Sequence, residues 1–181
     1  MRYTYKEEHQ MRVWKETEHF HQYNANPKNR DTSDCVIRAL TVITGKDWDT
    51  IFDELVPYAH KHKCLINNDS AYENYLKDIG YVKMKQPKHS DNTKYTGVEL
   101  VDFIRNYGFI KPVMLSIGPH HVSVISRYTE RMENGEYKEK ASRILDTANI
   151  SMRKVGKVWV HESDAERWKL IMTKCRCGLY E

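Results

Sequence analysis

Residues 29–45 read NRDTSDCVIRALTVITG, and the rest of the chain is organised around them. Val36, Ala39, Leu40 and Ile43 fall at i, i+3, i+4 and i+7, one face of a helix with 3.6 residues per turn. Thr32, Ser33 and Asp34 all suit the N-cap of a helix, and Gly45 is a natural stop. The pattern predicts a helix that opens on Cys35. First-turn N–H groups have no partner inside the helix and carry the positive end of its dipole. A thiol held there ionises more readily, the thiolate is the nucleophile, and the same N–H groups can stabilise an oxyanion. A cysteine acyl-transfer enzyme presents its nucleophile in this way. A small buried apolar cysteine at a helix start is the plainer reading of the same residues.

The 181 residues fit one domain with material for a substantial core. Charged residues make up 30% of the chain and the mean hydropathy is −0.76, which predicts a soluble protein. No apolar run reaches the about 18 residues of a membrane span. The opening MRYTYKEEHQMRVWKETEHF lacks the apolar stretch of a secretory signal. The net charge of +4 is spread along the chain rather than gathered into a stripe, which argues against a nucleic-acid groove. Cysteines occur at 35, 64, 175 and 177 without the rhythm of a disulfide framework, so a reducing, cytoplasmic setting is expected.

Residues 1–22 are polar and aromatic with no clear period and read as an N-terminal extension; 23–162 read as the functional domain, and 163–181 as a C-terminal helix and tail packed on it. Residues 23–30, YNANPKNR, are an irregular lead into the Cys35 helix. A second helix is capped by Asp47, carries Trp48, Ile51, Phe52 and Leu55 on one face, and has Pro57 at its end. A third opens at the capping box Ser70-x-x-Glu73, buries Tyr72, Tyr75, Leu76 and Ile79, and stops at Gly80. After a polar loop over 83–94, a fourth opens at Thr96-x-x-Glu99, buries Leu100, Phe103, Ile104 and Tyr107, and stops at Gly108. The period then changes. Residues 113–117, 122–125, 143–145 and 155–160 read as strands, with a hairpin turn at Asn134-Gly135, and a last helix opens at Ser163-x-x-Glu166 to bury Trp168, Ile171 and Met172. Helices followed by an antiparallel meander predict an α+β domain, without repeat or linker.

A cysteine nucleophile needs a base, and the base needs an orienter. Of the histidine pair in GPHHVSVI, His121 alternates with Val122 and Val124. If the valines face the core, His121 points into a cleft or solvent, and His120 points the other way. Asp146 ends the neighbouring strand, where a carboxylate can accept the imidazole Nδ1–H and stabilise the imidazolium. A surface histidine in a turn and a polar strand end are the plain readings of each alone. An oxyanion hole also wants a side-chain donor, and Asn29, six residues before Cys35, can offer its NH₂; Asn24 and Asn26 are rivals, and a turn asparagine is the plain reading.

This order resembles the papain-like cysteine peptidase superfamily, with a Cys that starts a helix, a His that starts a later strand, then Asp or Asn. The likeness is closer to the peptidase domains that remove double-glycine leaders in bacteriocin exporters. Their Gln-x4-Asp-Cys, His before apolar strand residues, and strand-end Asp are matched by Asn29-x4-Asp34-Cys35, His121-Val-Ser-Val and Leu145-Asp146. The chain is also similar to small uncharacterised phage and bacterial proteins, through Asn26-Pro27, Asp34-Cys35-Val-Ile-Arg38-Ala39, His120-His121, Asp146-Thr147 and Trp159. It departs from the pattern with Asn for Gln at position 29 and with a charged hairpin over 128–140. The resemblance implies a papain-like fold over most of the chain and amide hydrolysis through a thioester. Cys35 would attack, His121 would be base then acid, Asp146 would orient it, and Asn29 would stand at the oxyanion. The substrate would be a protein or peptide, and no metal or cofactor would be needed. Asp34 would help to place the cysteine turn, and Arg38 would make a structural salt bridge on the helix.

Other functions compete. His60-x-His62-x-Cys64 and Cys175-x-Cys177 hold ligand types that zinc accepts, but not in C-x₂-C spacing, and solvated loop residues are the better reading. The same scaffold can serve as a binding module with the three residues idle, or as an acyl or glutamyl transferase in which an amine replaces water.

Overall fold

The computed structural model describes residues 12–30 and 32–176. The expected first helix is α1 (Cys35–Thr44), closed by Gly45 in the left-handed conformation (φ 72°), whose N–H reaches Thr41 O at 2.9 Å. In α2 (Trp48–His62), Asp47 accepts the Thr50 N–H as its N-cap. This helix does not end near Pro57 but runs a further turn. Pro57 lies on the exposed side, where water can serve the Asp53 carbonyl that it leaves unbonded, while Ile51, Leu55 and Ala59 hold the turns on either side to the core. Helix α3 (Asp69–Asp78) is capped by Asn68 rather than by Ser70, whose N–H Asn68 Oδ1 accepts at 2.9 Å. Strand β2 (Tyr81–Met84) takes two residues from the expected polar loop. Helix α4 (Gly97–Asn106) has the full capping box: Thr96 Oγ1 accepts the Glu99 N–H, and the Glu99 carboxylate accepts the Thr96 N–H at 2.6 Å. Strands β3 (Val113–Ile117), β4 (His121–Arg131), β5 (Tyr137–Asp146) and β6 (Val155–His161) follow, and α5 (Glu162–Arg176) closes the described chain.

The domain is α+β, as expected, but its six-stranded sheet is mixed. Residues 20–22 of the supposed extension form a strand, here β1 (Phe20–Gln22), which pairs in parallel with β5. The order is β1-β5-β4-β3-β6-β2, so β6 leaves the meander to pair with the far side of β3, and β2 adds beyond it. Both faces are covered. Met114, Val122, Val124, Leu145 and Trp159 pack with α1, α2 and α3. Their strand neighbours Leu115, Ile125, Ile144, Val158 and Val160 pack with α4 and α5 around the fully buried Trp168. That alternation is the period of two of a strand, read out between two cores rather than between core and solvent. No helix among the described residues is long and apolar enough to cross a membrane.

Candidate functional site

The N-terminus of α1, the first residue of β4 and the last residue of β5 meet at one end of the sheet. Cys35 is the first residue of α1 and half-buried. Asp34 before it is 6% exposed, and its carboxylate is taken up by Arg38, by Asn26 Nδ2 at 2.9 Å and by Trp48 Nε1 at 2.9 Å. One buried carboxylate thus ties the loop before the cysteine, the body of α1 and the start of α2 together, and the expected Arg38 salt bridge is made here. Committed in this way, Asp34 makes no side-chain cap, and the first-turn N–H groups of α1 stay free of one.

His121 opens β4 after the turn at Gly118 (φ 62°). The ring bonds Asp146 through Nε2, at 2.7 Å from Oδ2, not through Nδ1 as the sequence suggested. That leaves Nδ1 unbonded to Asp146, and Cys35 stands close enough to the ring for each to shift the other's pKa. Asp146 is 3% exposed, and its other oxygen accepts the Thr147 N–H at 2.7 Å. Its backbone is fixed as well, since its carbonyl accepts the Tyr23 N–H at 2.8 Å, an extension of the β1–β5 pairing. Val122 and Val124 do face the core of α1, as supposed. His121 reaches the cleft because it stands at the strand's end, not because the sheet's other side is open: Ile125, four residues on, lies in the second core.

The electrostatics of the pair follow from these contacts. Burial alone lowers the His121 pKa, but the bonds to Asp146 and Cys35 and both their charges outweigh it and push it up to about 10. Burial alone raises the Cys35 pKa, yet the His121 bond, the Val122 N–H and the positive charges of His121 and Arg38 hold it below its ordinary value. Each group thus favours the charged form of the other, the thiolate of Cys35 and the imidazolium of His121.

Asn29 is not among the residues that line the space around Cys35. It is exposed and left-handed (φ 50°), its N–H bonds Asn26 O at 2.8 Å, and its side-chain oxygen accepts Asn24 Nδ2 at 3.4 Å. Its rivals are also engaged elsewhere: Asn24 Nδ2 reaches Arg30 O, and Asn26 holds Asp34. Asparagines fold this loop onto itself, and Asn29 lines neither of the hollows that flank Cys35. Two hollows instead flank Cys35 and His121, one of about 670 Å³ running past Cys64, Leu65 and Tyr72, the other of about 400 Å³ past Thr32, Arg38 and Thr147. They share Cys35, His121, His120 and Asn67. Asn67 had no signal in the sequence, since nothing local distinguishes it from any polar residue between two helices. Among the described residues no group of three or more His, Cys, Asp or Glu side chains is placed to hold a metal ion. Cys177 lies outside the described residues. Comparison with protein-family models, with curated proteins and with solved structures gave no match to this chain.

Proposed function

We propose that the protein is a cysteine hydrolase with a papain-like arrangement of nucleophile, base and carboxylate, cleaving amide bonds of a protein or peptide in a reducing compartment such as the cytoplasm. The observation that carries this reading is the placement of His121 between the Cys35 thiol and the buried Asp146 carboxylate. In the reaction the Cys35 thiolate adds to the amide carbon, and the carbonyl electron pair moves to oxygen. The oxyanion collapses, His121 gives its proton to the departing amine nitrogen, and a thioester remains on Cys35. Water then attacks the thioester with His121 taking the water's proton; the acid leaves and the thiolate–imidazolium pair is restored. Asp146 keeps the ring in the orientation that both steps need. The grooves on either side of the sulfur give room for the acyl and amine portions of a substrate.

The test is alkylation by iodoacetamide between about pH 4 and pH 9, with Cys64 as internal standard, since ordinary thiols titrate near about 8.5. Cys35 should react well below that pH, and His121→Ala should bring it back to the Cys64 profile. Equal profiles of Cys35 and Cys64 in the wild type would overturn the reading.

A further inference from the structure

We propose that Asn67, in the loop between α2 and α3, is the side chain that stabilises the oxyanion when Cys35 accepts an acyl group. The inference rests on the reading of Cys35 as the nucleophile and adds a residue that the spacing before the cysteine does not supply.

Asn67 lines both hollows, and the two meet only around Cys35, His121, His120 and Asn67. A carbonyl group seated over the sulfur is therefore passed by Asn67 whichever hollow holds the acyl portion. The loop that carries it is held at both ends. The Cys64 N–H bonds Ala59 O at 3.0 Å, the Asn68 N–H bonds Leu65 O at 3.0 Å, and Asn68 caps α3. The side-chain amide of Asn67 itself makes no hydrogen bond among the described residues, in contrast to Asn24, Asn26 and Asn68, whose amide groups serve the fold. An NH₂ donor with no partner of its own, on a loop held at both ends and lining both hollows, is free to meet charge that develops over the sulfur.

The step is addition of the Cys35 sulfur to a carbonyl carbon, with the C=O electron pair moving to oxygen. That oxygen accepts a hydrogen bond from Asn67 Nδ2 until the double bond reforms and the leaving group departs with its electron pair. Alkylation by iodoacetamide makes a C–S bond and expels iodide without any oxyanion. The two reactions separate the roles. With p-nitrophenyl acetate as acyl donor, release of p-nitrophenolate reports acylation of Cys35. Asn67→Ala and Asn67→Asp should each lower the acylation rate on the order of 10²-fold, the loss typical of one oxyanion donor. Iodoacetamide alkylation of Asn67→Ala, and its pH profile, should stay within about twofold of wild type, as expected if the ion pair is untouched. Unchanged acylation in Asn67→Ala overturns the proposal. An equal fall in acylation and alkylation also overturns it, since the residue would then only shape the cleft. A wild-type Cys35 that alkylates no faster than Cys64 would remove the nucleophile reading, and this one with it.

Discussion

Asp146 has both carboxylate oxygens occupied, one by the His121 ring and one by the Thr147 N–H, and this is what holds an imidazolium beside a thiol. Because the folded His121 pKa stands at about 10, above the ordinary value of about 6.5, its contribution to stability is complete below about pH 6.5 and is lost as pH rises through about 10. Asp146→Asn keeps the shape and an acceptor but removes the charge. The wild type should therefore unfold at higher urea concentration than this variant near pH 6.5, and the gap should narrow toward pH 10. A gap that does not change with pH would mean that Asp146 does not keep the ring protonated. At this scale the sequence was most informative where a residue's role is set by the end of its element. Cys35 begins a helix, His121 begins a strand and Asp146 ends one, and each end carries local signals. The two asparagines were not legible. Spacing gave Asn29 a distance from the cysteine but no direction, and Asn67 stands near it only through the packing of α2 and α3.

At the scale of elements, α1 is held by the charge of Asp34 as much as by its apolar face. Arg38 is 5% exposed and, among the described residues, is ion-paired with this carboxylate, to which Asn26 and Trp48 also donate. Asp34→Ala leaves a buried guanidinium without its counter-charge and should cost about 3–5 kcal/mol in chemical denaturation, the range for a broken buried ion pair. Asp34→Asn, which keeps oxygen for one donor, should cost less. If the two variants lose the same stability, the charge is not what anchors the helix. The Gly45 stop of α1, the Asp47 cap of α2 and the capping box of α4 were readable because capping is local in sequence. Pro57 misled because a proline ends a helix only where its turn lacks other support, and here the buried face of α2 carries the helix past it. Strands β1 and β2 were missed because three and four residues span at most two alternations, and both are edge strands defined by partners far away in the chain.

Taken whole, the molecule has two cores on one sheet, and the site belongs to the end of the sheet nearest only one of them. Trp168 anchors α5 to the other, fully buried and donating its Nε1–H to Lys85 O at 2.9 Å. Trp168→Ala should cost about 3–5 kcal/mol, seen as a lower Tm, because it empties a large core position. Below that Tm the alkylation rate of Cys35 should not change; a coupled loss would mean that the two cores do not act separately. The helix-then-strand change of period was enough to give α+β, whereas the parallel β1 and the displaced β6 depend on pairings at long range that no local pattern encodes. The β1–β5 pairing also bears on time. Phe20 to Gln22 pair with Ile144 to Asp146, so the first strand finds its partner only when the fifth is made. On a ribosome Cys35 emerges well before His121 and Asp146, and until the sheet closes its sulfur has no ring to ionise it. A growing chain therefore carries a thiol of ordinary reactivity. On the function proposed above, the nucleophile is switched on by completion of the fold, which keeps the proposed hydrolase from acting on its own unfinished strands.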